Sequence, residues 1–218
     1  MKQIFILWVV LILFSANCLA DDMIIKLPKP ELQSETSVEE ALSTRRSRRS
    51  YTEKPLTIRQ LSQILWAGQG ITEEPYFRTA PSAGALYPID LYIAVNNVTE
   101  VEEGLYRYIP EEHYLHQIDS TSYQAKIYSS GLWQKALKSP PVTILLVADY
   151  EVITPKYGDR GIRYTFLEAG HIAQNIYLQC EALGLGTVAI GAFDEQRLQQ
   201  ELPVENHIIY ILPVGRVK

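Results

Sequence analysis

Cysteine is scarce, with two in 218 residues. Cys18 falls in an N-terminal segment that reads as removable, which leaves Cys180. One cysteine makes no intrachain disulfide, and Cys180 lies on the apolar side of a helical pattern, as a small core residue does. The four histidines (113, 116, 171 and 207) have no spacing that suits a metal ion, so no metal site is expected. Positive charge is not in excess. The formal net charge is -5, which argues against a nucleic-acid binder. No G-x-G-x-x-G follows a strand, which disfavours a dinucleotide-binding fold. There is no internal repeat and no low-complexity tract. No apolar run reaches the ~20 residues of a spanning helix.

The N-terminus has Met1-Lys2, then an uncharged stretch from Gln3 to Ala20, then Asp21-Asp22. Its dense apolar part runs only from Ile4 to Phe14. That pattern reads as a secretory signal cleaved after Ala20, the imperfect small-residue site being Cys18-Leu19-Ala20. The alternative is a membrane anchor made by residues 4–20. Asn17 disfavours lipidation of Cys18, and no twin-arginine pair indicates export in the folded state. Residues 21–36, with Pro28 and Pro30, then form an extended lead-in. Residues 37–218 are long enough for one domain with a substantial core. A composition of 47% hydrophobic and 21% charged residues is ordinary for such a domain.

Ser37-Val38-Glu39-Glu40 and Thr57-Ile58-Arg59-Gln60 have the capping-box pattern. They predict helices through about Thr44 and to about Gly68-Gln69-Gly70. Residues 71–88 read as a loop rich in Pro, Ser, Gly and Ala. Strands are predicted at 91–95, 105–109, 114–118, 142–148, 187–190 and 207–214. Residues 120–138 are expected to be helical. Ile162, Phe166, Ala169, Ala173, Ile176, Cys180 and Leu183 recur at helical spacing and predict a long helix with that face buried. Asp194 caps a last helix through Leu202. The irregular alternation of strands and helices argues for α+β layers.

Three segments carry chemistry. In Arg45-Arg46-Ser47-Arg48-Arg49-Ser50-Tyr51, guanidinium forks and a serine hydroxyl suit a phosphate; a solvated basic turn would look the same. In Arg78-Thr79-Ala80-Pro81-Ser82-Ala83-Gly84-Ala85-Leu86-Tyr87-Pro88, small residues let backbone approach a flat ligand, as would any turn-rich loop. Gly184-Leu185-Gly186-Thr187-Val188-Ala189-Ile190-Gly191-Ala192-Phe193-Asp194 reads as helix stop, short strand, tight turn and new helix, with N–H groups free to point at a ring atom. His171 reads as a hydrogen-bonded packing residue on the long helix.

The order of these segments, with Gly170-His171 and Gln174-Asn175 between them, resembles the nitroreductase superfamily. Ile64-Leu65-Trp66-Ala67-Gly68-Gln69-Gly70, the Pro81–Pro88 segment and Lys156-Tyr157-Gly158-Asp159-Arg160 are most similar to the azoline dehydrogenases of the SagB/ThcOx type. The match covers about residues 37–216. The resemblance implies a nitroreductase-like α+β fold, with a central, mainly antiparallel sheet flanked by helices. It also implies a homodimer with flavin mononucleotide (FMN) at the interface. Arg45, Arg46, Ser47 and Arg49 would hold the FMN phosphate and ribityl chain, with Arg216 a second phosphate contact. Pro81, Ser82, Ala83 and Gly84 would line the isoalloxazine. Ala189, Gly191 and Ala192 would lie over its other side, with an N–H near the reactive nitrogen. Lys156 and Tyr157 match the pair implicated in catalysis, where a desolvated lysine or a tyrosine acts as base. Many members continue past the position of Lys218 into an arm that wraps the partner.

Nicotinamide cofactors are scarce outside the cytoplasm. An exported enzyme is therefore expected to oxidise a small-molecule or peptide-borne substrate, such as a thiazoline or oxazoline, and to pass electrons to oxygen, a quinone or a redox partner. The alternatives are a nicotinamide-fed nitro- or quinone reductase, and a flavin-binding protein without catalysis.

Overall fold

The computed structural model describes residues 23–73 and 77–218. The expected export segment, residues 1–20, lies outside them. Seven strands form one sheet, and every neighbouring pair in it is antiparallel. They are β1 (Ile24–Lys26), β4 (Ile89–Val95), β5 (Gly104–Ile109), β6 (Tyr114–Asp119), β7 (Val142–Ala148), β8 (Leu185–Thr187) and β9 (His207–Arg216), in the order β1-β6-β5-β4-β7-β9-β8. β2 (Ile71–Glu73) and β3 (Phe77–Arg78) make a separate two-stranded ribbon inside the segment expected to be a loop. The lead-in is more than extended: its first residues pair with β6 as an edge strand.

The central strand β7 is buried along its whole length, because the sheet is covered on both faces. Its alternate residues divide between two cores. Val142, Ile144 and Leu146 join Leu91, Ile93, Ile172 and Ile176. Leu145 and Val147 join Ile127, Leu198 and Ile211. The first core packs beneath helices α2 (Ile58–Gln69) and α5 (Arg160–Ala182), the second beneath α3 (Gln124–Ser130) and α6 (Glu195–Glu201). Cys180 is buried in the first core, where desolvation pushes its thiol pKa up. α1 (Val38–Thr44) begins at Ser37, which accepts from the Glu40 N–H. α2 begins with the full capping box of Thr57 and Gln60, which satisfies two otherwise unpaired donors.

Four expectations are corrected. Residues 120–138 are not one helix: α3 stops at Ser130, and Leu132 and Trp133 take left-handed backbone. Bonds to residues distant in sequence impose that break, Asp194 N–H to Ser130 O at 2.8 Å and Gln134 Nε2 to Ala192 O at 2.7 Å. The strand placed at 187–190 lies at 185–187 instead. Gly184 supplies the positive φ that ends α5, and the chain leaves the ladder when the Ala189 N–H turns to Tyr177. The stretch 150–157, to which no element was assigned, is helical, forming α4 (Tyr150–Tyr157), with Asp149 accepting from the Glu151 N–H. Finally, Ile162 and Phe166 do not face the core: they are 37% and 53% exposed, whereas Glu168 is 1% exposed. The apolar stripe on α5 is rotated relative to the buried one. His171 is also exposed, with no hydrogen-bond partner among the described residues, and so is not a packing residue.

Candidate active site

The arginine turn follows α1 and is fastened along the edge of the sheet. Arg48 N–H donates to Thr187 O at 2.9 Å, and Thr52 N–H to Arg216 O at 2.8 Å. The Tyr51 hydroxyl donates to Arg48 O and lies 3.2 Å from Pro213 O. A Cβ on Gly186 would come within 2.6 Å of the Arg48 side chain, so only glycine lets β8 pass beneath it. Arg48 is thus the packed residue of the turn, and Arg45, Ser47 and Arg49 stand around it.

Tyr177 of α5 joins this turn to the glycine turn. It accepts from the Ala189 N–H at 2.8 Å, lies 3.0 Å from Ser47 Oγ, and carries the Arg45 guanidinium 5.1 Å from its ring centre. The Ala189 N–H is therefore taken. Gly191 and Ala192 are exposed, and their N–H groups have no partner among the described residues. Arg46 folds back on Ser43 O and Arg45 O, where a cation suits a helix C-terminus. Arg216 reaches Gln60 at 3.3 Å.

The Pro81–Gly84 loop is organised separately. Gly84, Ala85 and Tyr87 all have positive φ, and Ser82 Oγ closes the turn by accepting from the Tyr87 N–H at 2.9 Å. Lys156 and Tyr157, at the end of α4, converge on it. A Cβ on Gly84 would stand 2.6 Å from Lys156 Nζ and 2.7 Å from Tyr157 Oη. The glycine opens the space that both polar tips enter. Lys156 is exposed and Tyr157 half-buried, so within one chain the lysine is not the desolvated base that the sequence suggested.

Gly84→Ala is expected to push both tips away and to strain a left-handed residue, costing about 1–2 kcal/mol of stability. A urea titration with a lowered midpoint and an unchanged slope checks this; an unchanged midpoint refutes it.

One residue that sequence reading missed lies beneath the loop. Glu168 of α5 is buried, lies beside the Ser82 side chain, and accepts from Gln69 Nε2 at 3.5 Å. Burial pushes its pKa up to about 7, against the opposing effects of Ser82, Gln69 and Arg78. The signal was present in the sequence: Glu168 stands beside Ala169 and one turn before Ile172, within the apolar spacing of α5.

The two groups of residues do not meet within one chain. Ser82 lies beside Glu168, and the arginine and glycine turns are held by Tyr177, nine residues further along α5. At ~100° and ~1.5 Å per residue, these anchors are about 180° apart around the helix and about 13.5 Å apart along it. Asn175, which donates to Thr79 O at 3.2 Å, holds the loop on the Glu168 flank. The candidate residues therefore form two separate clusters. One has Arg45, Ser47, Arg49, Gly191 and Ala192. The other has Pro81, Ser82, Ala83, Gly84, Lys156 and Tyr157.

The sequence profile of the nitroreductase family matches residues 42–216. The chain belongs to the nitroreductase family. A family protein of Methanocaldococcus jannaschii is 43% identical over 198 residues, 91% of this chain and 98% of that protein. The microcin B17-processing protein McbC of Escherichia coli is 30% identical over 53% of this chain and 43% of its own length. Among solved structures, a family protein of Ralstonia eutropha superposes with a TM-score of 0.79 at 27% identity, covering 89% of this chain and 90% of that one. Membership makes the chain a flavin-dependent oxidoreductase with the nitroreductase fold. Both clusters fit such a cofactor. One offers half-buried Arg45, exposed Arg49 and unpaired N–H groups at a turn. The other offers a glycine-opened loop that a Cβ would block.

Proposed function

We propose that this protein is a homodimeric FMN-dependent dehydrogenase of the SagB/ThcOx type, which oxidises a small-molecule or peptide-borne azoline. The observation that carries this reading is the convergence of Lys156 Nζ and Tyr157 Oη on Gly84. FMN, when bound, supplies the two-electron acceptor. Arg45, Ser47 and Arg49 would hold its phosphate and ribityl chain, and Gly191 and Ala192 would direct N–H groups at the ring. Lys156 or Tyr157 would accept the proton that leaves the substrate carbon. Both stand where such a proton is reached without disturbing the phosphate turn.

The divided site supports a homodimer, in which a second copy would bring its Pro81–Gly84 loop to the Arg45–Arg49 turn. The exposed apolar residues Ile162, Phe166 and Leu167 on α5 suit that contact. Light scattering is expected to give a dimer with flavin bound, and dilution to monomer should release the flavin. A flavin-loaded monomer would refute the arrangement.

The test of the reaction class is the bound flavin's spectrum through a cycle of photoreduction and reoxidation. Bleaching by an azoline-bearing peptide and reoxidation by oxygen or a quinone support the dehydrogenase. Bleaching by NAD(P)H alone moves the reading to a nitro- or quinone reductase. An absence of flavin moves it to a protein without this catalysis.

A further inference from the structure

Leu132 and Trp133 take no part in the reaction above, yet the fold holds them in an unfavourable state. They are 58% and 63% exposed, so burial contributes little to either side chain. Both have left-handed backbone, with φ of 56° and 57°, which is costly for bulky residues. Local bonds keep the strain in place. Leu132 N–H donates to Ser129 O at 3.2 Å, Trp133 N–H to Tyr128 O at 3.1 Å, and Gln134 Nε2 to Gly131 O at 3.0 Å. Strain that persists because the surroundings over-determine it clusters at functional positions.

The indole itself is braced. It meets the Tyr128 ring edge-on at 5.0 Å, and Tyr128 packs on the second core. The brace leaves most of the Trp133 surface open. The location of that surface is set by the two bonds on either side of the pair. Asp194 N–H donates to Ser130 O at 2.8 Å, and Gln134 Nε2 donates to Ala192 O at 2.7 Å. Leu132 and Trp133 are thus strapped against the turn that carries the free N–H groups of Gly191 and Ala192. An apolar wall beside those donors suits a ligand that is flat and apolar there: an aromatic ring packs on indole, whereas a charged group against it would lose hydration without gaining a partner.

We propose that Leu132 and Trp133 form a specificity subsite at the Gly191–Ala192 turn, which takes a flat apolar group of the substrate, such as an aromatic side chain next to the ring that is oxidised. This rests on the flavin reading given above, in which the turn directs its N–H groups at the isoalloxazine. The subsite moves no proton. It selects the substrate from the cluster that holds the flavin, while Lys156 and Tyr157 act from the other cluster.

The experiment is a titration of the oxidised, flavin-loaded dimer with a phenyl-substituted thiazole and with its carboxylate-bearing counterpart. Both are already oxidised and undergo no turnover, so the shift in flavin absorption reports binding alone. Trp133→Gly is the informative variant, because glycine accepts the left-handed backbone, and Trp133→Phe keeps an aromatic ring. Wild type is expected to prefer the phenyl ligand. Trp133→Gly should bind it about tenfold more weakly, as the loss of one aromatic contact implies, and Trp133→Phe should stay near wild type. Affinity for the carboxylate ligand and for FMN should be unchanged in both, and the urea midpoint of Trp133→Gly should rise as strain is released. Equal affinity of wild type and Trp133→Gly for the phenyl ligand overturns the proposal, as does a wild-type preference for the carboxylate. A flavin-loaded wild type whose spectrum responds to neither ligand overturns it too and leaves the flavin reading intact. Dissociation of Trp133→Gly to monomer in light scattering overturns it in favour of a contact between copies. If Trp133→Gly does not fold, Leu132→Gly is read by the same criteria. If wild type takes up no FMN, the flavin reading falls and this proposal falls with it.

Discussion

Lys156→Ala and Tyr157→Phe are each expected to lower substrate oxidation by roughly 10²–10⁴-fold, the usual contribution of a positioned acid or base, while the flavin spectrum and the dimer stay normal. The expectation rests on where the two tips are. Both point into the space that Gly84 leaves open, and both come from the last turn of α4, which holds none of the phosphate-turn residues. Removing them leaves the arginine and glycine turns untouched. Tyr157 also packs edge-on against Tyr164 at 5.2 Å, and phenylalanine keeps that contact, so Tyr157→Phe tests the hydroxyl alone. Stopped-flow bleaching of the flavin by substrate gives the rate, and reoxidation of chemically reduced flavin is the control, since that half-reaction needs no substrate base. Turnover kept by both variants would make the pair structural. The reductase reading would then stand ahead, because such an enzyme takes its proton from solvent.

Arg45→Ala is expected to weaken FMN binding by about tenfold or more. A charge-assisted bond contributes roughly 1.5–3 kcal/mol, and about 1.4 kcal/mol is a factor of ten in Kd. The structure ranks the arginines, which the sequence did not. The Arg45 guanidinium lies against the Tyr177 ring beside exposed Ser47. Arg46 is turned toward the carbonyls of Ser43 and Arg45, so Arg46→Ala should cost less affinity and more helix stability. Equilibrium titration with FMN decides between them. Unchanged affinity in both variants would leave the cluster as a solvated basic turn.

The parts of the fold that were legible in the sequence are those set by local chemistry. Thr57 and Gln60 announce α2 because a capping box satisfies its donors within four residues. β7 announces itself as an unbroken apolar run because both its faces are covered. The break after Ser130 was not legible, since its cause is a pair of bonds to residues 192 and 194. The residues of the candidate site were readable as three motifs, but their division was not. Motifs give order along the chain, whereas the separation of Ser82 from Ser47 is an angle around α5. The exposure of Ile162 and Phe166 has the same origin: an apolar stripe does not reveal whether it meets its own core or a second copy.

The fastening of the arginine turn has a consequence for how the enzyme is made. Residues 48–52 take their bonds from Thr187, Pro213 and Arg216, and Tyr51 bridges to Val217. The cation turn is among the early segments to leave the ribosome, yet it acquires its shape only after Val217 has followed. Contacts of such sequence separation form late, because a long loop must close before they can. Flavin uptake through this turn is therefore expected only of chains that have already released Val217 from the ribosome.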